Sequence, residues 1–369
     1  MTKRNILLTP GPTPVPPEVL RVMAEPIFHH RTPRYRELFR EVSTGLKTVF
    51  RTTQNVYTFT GSGTLAMEAS MVNFLSQGDK VIVLEAGKFG ERWTEIARRY
   101  QLNVTSLKVP YGETVPPGEV EKTLKLHPDT KAVYGTHCET STGVLIDIEA
   151  IAKLVSKTQA IFVVDAISGL AADRLEMDDW KIDVVVSGSQ KGLMIPPGLA
   201  FLAASEKAQA INKKAGLPRY YMDLAQCEKS LKDWDTPFTP ALTLVLGLQE
   251  TLVRIQGEGM EKLWARTARL AAETREAVKR LGLELFAKRP ANMLTAVQVP
   301  AGIDGEKLVS LMRDEKGVTM AGGQGEMKGK IFRIAHMGFI TESDLKIGIS
   351  VLKETLNELG KKRSTKVQA

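Results

Sequence analysis

Short apolar runs rich in Val and Ile alternate with amphipathic stretches through the first half of the chain, and this alternation constrains the fold most. KVIVLEA (80–86), NVTSLKV (103–109), KAVYGTH (131–137), AIFVVDA (160–166) and IDVVVSG (182–188) read as strands. Between them, GERWTEIARRYQL, EVEKTLKLH and DIEAIAKLVSKTQ carry apolar residues at helical spacing. Near-continuous apolar strands separated by helices describe an α/β domain whose mostly parallel central sheet is covered by helices.

After about residue 240 the pattern changes. ALTLVLGLQETLVRIQGEGM and MEKLWARTARLAAETREAVKRLG read as two long helices. The strand NMLTAVQVP, the helix GEKLVSLMRDE, the strand GKIFRIAHM and the helix SDLKIGISVLKETLNELG follow. A chain of 369 residues exceeds one small core, so two domains are expected. We place an N-terminal segment at 1–20, a large domain at 21–257 and a smaller C-terminal α+β domain at 258–369.

Composition removes several function classes. Two cysteines, Cys138 and Cys227, are too few for a disulfide framework or a cysteine-rich zinc site. His137, Cys138 and Glu139 lie together, but no second cluster completes a ligand set, so no metal is expected. No apolar stretch is long enough to cross a membrane, and the N-terminus lacks a signal peptide's apolar run, so a cytoplasmic protein is expected. The net charge of +8 is not arranged as a basic stripe with interleaved aromatics, and its tail GKKRSTKVQA reads as a frayed, solvated end. Nucleic acid is not expected as a partner, whereas anionic small substrates suit the charge.

In an open parallel sheet, ligands collect beyond the carboxyl ends of the strands. NVYTFT is followed by GSGTLAMEA (61–69), a glycine-rich turn opening into a helix. Helix N-terminal amides bind phosphate, Gly61 and Gly63 permit close approach, and Ser62 and Thr64 add hydroxyls. KAVYGT leads into HCETSTG (137–143), a loop dense in hydroxyls. Asp165 ends AIFVV, where a carboxylate is costly unless paired. Lys191 follows IDVVVSGSQ, where partial desolvation makes an amine nucleophilic. A phosphate cup, a hydroxyl loop, an acid and a lysine at strand ends are the set that pyridoxal 5'-phosphate requires for its phosphate, phenolic oxygen, ring nitrogen and aldehyde.

With those residues in place, the chain resembles the class V aminotransferases of the fold-type I pyridoxal-phosphate enzymes, in the alanine–glyoxylate, serine–glyoxylate and serine–pyruvate branch. TPGP, GSGTLAMEA, THCETSTG, the VVDA to SGSQKGL run and FRIAHMG carry the likeness, in order along nearly the whole chain. The resemblance implies that Lys191 carries the cofactor and that Asp165 partners its ring nitrogen, with Ile167 on the ring face. It implies Ser62, Gly63, Thr64 and Gln190 at the phosphate, Thr140 by the phenolic oxygen and Phe89 stacked on the ring. Thr239 matches a threonine that reaches the neighbouring subunit's phosphate, which implies a homodimer with active sites at the interface. Some relatives have a tyrosine where this chain has Thr236. Arg333 matches the arginine that holds the substrate carboxylate, and Gly11 lies in a segment lining the substrate pocket.

The implied reaction is a ping-pong transfer of an amino group from alanine or serine to glyoxylate or pyruvate, with Lys191 moving the Cα proton. Small donors are expected because only one arginine is assigned to a carboxylate; Arg34, Arg36 and Arg219 are the candidates for a second. Aspartate or another donor in the same class is the alternative. A cysteine desulfurase-like lyase is a further one, weakened by Gln190 where that family has histidine. A non-catalytic partner subunit is the last.

Overall fold

A computed structural model describes residues 5–367, with side chains through residue 360. Seven strands form the central sheet, in the order Val56–Gly61, Gly198–Ala204, Val184–Gly188, Ile161–Asp165, Ala132–Thr136, Lys80–Glu85, Asn103–Lys108. From Val184–Gly188 to Asn103–Lys108 all neighbours are parallel. Gly198–Ala204 runs antiparallel to both of its neighbours. The three strands Ala132–Thr136, Ile161–Asp165 and Val184–Gly188 are buried at every position, as a sheet covered on both faces requires. The fold is the α/β arrangement that the alternation of apolar runs predicts.

Strand order reverses beside Lys80–Glu85: the chain steps outward to Asn103–Lys108 and returns to Ala132–Thr136 on the other side. The carboxyl ends there open a crevice of the kind where α/β sheets hold ligands. One wall is the turn at Gly87 that starts the helix Lys88–Arg99; the other is the segment after Thr136.

Past the long helices Leu242–Glu258 and Met260–Arg280, which break at Gly259 with a φ of 84°, lies an antiparallel sheet of Leu294–Gln298, Ile331–Ala335 and Ala321–Gly322. It packs with the helices Gly305–Asp314 and Glu342–Val367 around a second apolar core. Ile6 and Leu8 belong to that core, and the short strand Ile6–Leu7 pairs in parallel with Val318–Thr319. The final helix continues through Val367 into the tail read as frayed, a difference at the level of the backbone. The side chains after residue 360, residues 368–369 and residues 1–4 of the N-terminal segment lie outside the described residues.

Candidate active site

Lys191 lies three residues past the strand Val184–Gly188 and is 8% exposed. Its Nζ donates to the Pro10 carbonyl at 2.5 Å. Burial pushes its pKa down to about 8; the Asp165 carboxylate opposes that shift, and Arg333 and Arg92 add to it. Asp165 ends the adjacent strand and is 3% exposed. Burial lifts its carboxyl to about 7, against the Ile167 amide that donates to Oδ1 at 2.8 Å. Glu139 raises it further, while Lys191 and Arg92 lower it. No hydrogen bond among the described residues occupies Oδ2. Two ionisable groups displaced toward each other's range in one closed place make this a candidate site for proton transfer.

The strand Val56–Gly61 runs into the helix Gly63–Val72 through Ser62, whose backbone is extended and whose hydroxyl makes no capping bond. The helix amides and that hydroxyl are thus available to an anion. A Cβ on Gly63 would meet Ile167 Cδ1 at 2.6 Å, and one on Gly188 would sit 3.3 Å from the Gly63 nitrogen and 3.2 Å from Gln190 Oε1. Gly63, Ile167, Gly188 and Gln190 therefore converge, and Gln190 Oε1 is buried without a protein partner. Thr64 Oγ1 accepts from Arg92 at 3.3 Å, and the Arg92 guanidinium lies 4.8 Å from the Phe89 ring centre.

Across the crevice, Thr140 Oγ1 and Ser168 Oγ are hydrogen-bonded at 2.6 Å. Arg333, from the strand Ile331–Ala335, is 4% exposed. Its Nη1 donates to the Thr140 carbonyl at 2.9 Å, and Nε and Nη2 donate to the Gly322 carbonyl at 3.1 and 2.6 Å. Burial lowers its pKa to about 10 and Glu139 works the other way, so it stays cationic near neutrality. Three bonds to carbonyls fix the fork and leave N–H groups for a carboxylate.

Gly11 adopts a φ of 138°, and a Cβ there would fall 2.4 Å from Lys191 Nζ. The segment around it is tied at both ends. Thr13 bonds the carbonyls of Gln190 and Lys191, and the Ala335 amide donates to the Leu8 carbonyl. The N-terminal strap thus spans from the strand of Arg333 to the lysine turn.

Thr239 does not join this cluster within the chain. It is exposed and shares a hollow with Phe59, Thr60, Leu199 and Tyr221. Thr236 Oγ1 donates to the Phe238 carbonyl at 2.8 Å. Sequence reasoning missed Arg92 and Glu139. Arg92 was legible as the residue one turn after Phe89; Glu139 was weighed there only as a metal ligand. Among the described residues no group of His, Cys, Asp or Glu is gathered as for a metal ion, and no helix is long and apolar enough to cross a membrane.

The residue set fits pyridoxal phosphate: helix amides and a free hydroxyl would donate to a phosphate, with the side-chain amide of Gln190 beside them, an open carboxylate oxygen would accept from a ring nitrogen, and a low-pKa amine would meet an aldehyde. The sequence matches the family Aminotransferase class-V over residues 6–337. A protein named as the soluble hydrogenase small subunit of Synechococcus sp. (strain PCC 6716) is 42% identical over 98% of this chain and 95% of its own length. The L-aspartate–glyoxylate aminotransferase of Paracoccus denitrificans is 36% identical over 98% and 93%. The solved alanine–glyoxylate aminotransferase of Nostoc sp. superposes with a TM-score of 0.93 at 29% identity, covering 96% of each chain. The chain belongs to the class V aminotransferases and is a pyridoxal-phosphate-dependent transaminase.

Proposed function

We propose that the enzyme moves an amino group from alanine or serine to glyoxylate or pyruvate by a ping-pong mechanism. The observation that carries this reading is the meeting of Lys191, Asp165 and a single buried arginine, Arg333. Pyridoxal phosphate, when bound, supplies an electron-accepting ring conjugated to the substrate Cα. Lys191 holds the cofactor aldehyde at rest and, once released, takes and returns the Cα proton; its pKa near 8 makes the free amine accessible near neutrality. Asp165 keeps the proton on the ring nitrogen. Ser62, Gly63, Thr64 and Gln190 bind the phosphate, Phe89 and Ile167 cover the ring, and Thr140 faces its phenolic oxygen. Arg333 orients the α-carboxylate of donor and acceptor alike. Gly11 leaves the space that the lysine amine occupies.

Small donors are favoured because none of the candidates Arg34, Arg36 and Arg219 joins Arg333 in this cluster. Arg219 is tied to the carbonyls of Val72, Ala215 and Asn212 and to Asp223; Arg34 lies over Phe28, and Arg36 is exposed. An aspartate donor is the second reading, favoured by the name of the Paracoccus relative and by Arg92, which acts on both Lys191 and Asp165. The hydrogenase-subunit name of the 42%-identical relative suits a non-catalytic partner role, which predicts no turnover with any pair. Both cysteines are buried, so neither is placed to take sulfur as a desulfurase requires. A donor-by-acceptor activity matrix on the purified enzyme decides among these. It predicts turnover with alanine or serine and glyoxylate or pyruvate, slower turnover with aspartate, and no sulfide release from cysteine.

The working form in this reading is a cytoplasmic homodimer in which Thr239 reaches the partner's phosphate. The large domain at 21–257 holds the cofactor, the small domain at 258–369 brings Arg333, and the segment at 1–20 closes over Lys191. Full activity from a monomer in sedimentation and dilution assays would contradict the dimer.

A further inference from the structure

Glu139 is the buried carboxylate of this region that the reaction above leaves without a task. It is 1% exposed, in the short strand Cys138–Glu139. Its Oε2 accepts from the Phe89 and Gly90 amides, both at 3.1 Å. Its Oε1 accepts from the Ser141 amide at 3.1 Å and from Ser141 Oγ at 2.5 Å. Ser141 Oγ in turn accepts from the Lys88 amide at 3.0 Å. These amides are the free donors of the first turn of the helix Lys88–Arg99. They are taken by side chains 49 to 53 residues further along the chain. The helix's own cap position is Gly87, which has no side chain to offer. A Cβ at Gly87 would lie 2.5 Å from Ser141 Oγ and 2.6 Å from the Glu139 carboxyl carbon, so the absent side chain is the condition for a cap supplied across the crevice.

The helix capped in this way carries Phe89 in its first turn. The residue after Glu139 is Thr140, whose carbonyl holds Arg333 Nη1 and whose hydroxyl meets Ser168. One tripeptide, Glu139–Thr140–Ser141, therefore holds both the backbone of the helix turn that carries Phe89 and the side chain of Arg333. We infer that Glu139 is a positioning residue for the transamination, capping the Phe89 helix from a neighbouring strand and so fixing that ring relative to the Arg333 held by Thr140. This rests on the reading that Phe89 covers the cofactor and Arg333 binds the substrate carboxylate.

The consequence is a coupling that a purely structural carboxylate would not produce. Glu139→Gln keeps the size but replaces one accepting oxygen with an N–H donor facing amide donors, so part of the cap is lost. In the apoprotein, hydrogen exchange at the Lys88–Gly90 amides should speed up roughly tenfold, the size of a typical N-cap loss expressed as an equilibrium. In the holoenzyme, the visible circular dichroism of the bound cofactor should fall toward that of Phe89→Ala. KM for donor and acceptor should rise together by roughly tenfold, with kcat changed less. Ser141→Ala should shift the same three readouts in the same direction by less, and keeps the test available should Glu139→Gln not fold. Faster exchange in either variant with unchanged cofactor dichroism and unchanged KM would make Glu139 structural only and overturn the inference, as would unchanged exchange. If Phe89→Ala itself leaves the cofactor signal untouched, the placement of Phe89 fails, and the inference fails with it.

Discussion

The Lys191 cluster and the loop that carries Thr239 belong to one chain but differ in how far that chain alone completes them. Lys191, Asp165 and Arg333 are 8%, 3% and 4% exposed; burial displaces the pKa of each, and Lys191 and Asp165 also act on one another. Thr239 is exposed, and near it Tyr220 and Tyr221 are 73% and 39% exposed, Tyr221 stacked on Phe238 and Tyr220 tilted against it. The first region stores electrostatic cost inside the protomer. The second leaves apolar surface and a hydroxyl facing outward, as a residue serving another subunit's phosphate would. In the proposed reading, chemistry belongs to the closed region, and cofactor affinity and assembly to the open one.

Lys191→Ala removes nucleophile and base together and should lower turnover by several orders of magnitude, about a thousandfold or more, while the protein still folds. Steady-state assays check this, and near-normal turnover would remove Lys191 from its role. Asp165→Asn should slow proton transfer by roughly a hundredfold or more while substrate affinity changes little; a cost confined to KM would make Asp165 structural.

The same substitution separates the two regions by stability. Asp165 has a folded pKa of about 7, above the ordinary carboxylate value of 3.8. Its favourable contribution is present below the unfolded value and is lost as pH rises through about 7. Lys191 has a folded pKa of about 8 against an ordinary 10.5, so its cost is greatest at low pH and fades as pH rises above 8. Apoprotein Asp165→Asn should therefore melt above wild type at pH 7.5 and show no such gain near pH 4. Thr239→Ala should show no pH-dependent gain at all.

Arg333→Lys should lose roughly tenfold to a hundredfold in kcat/KM, since an ammonium does not reproduce the planar fork and about 1.5–3 kcal/mol is at stake. Both half-reactions should suffer, because donor and acceptor present the same carboxylate. Thr239→Ala should have the smallest effect, about tenfold or less on cofactor affinity, growing on dilution of the dimer. Equilibrium titration with cofactor at several protein concentrations tests it; a loss independent of concentration would place Thr239 within its own subunit's chemistry.

The closed region was largely legible in the sequence because its parts follow strands that announce themselves. Asp165 ends a fully buried apolar strand, Lys191 follows another by three residues, and the turn at Ser62 opens a helix. Gly198–Ala204 went unread because GLAFLAA follows Val184–Gly188 without an intervening helix, and a strand inserted antiparallel breaks the alternation. The helix Pro33–Phe50 also went unread, although Thr32 caps it and Pro33 marks its start. The pairing of Ile6–Leu7 with Val318–Thr319 depends on contacts far apart in sequence and leaves no local signal. The cap from Glu139 is hidden for the same reason, yet a helix start at Gly87 with no capping side chain is the local vacancy that points to it.

Everything proposed for this site depends on the strand-end lysine, not another of the chain's amines, carrying the cofactor. Borohydride reduction of the holoenzyme followed by peptide mass mapping tests it directly. One stoichiometric cofactor adduct is expected, on the peptide containing Lys191, with loss of the visible absorbance band. An adduct on a different lysine, or a bleached band with Lys191 unmodified, would contradict it.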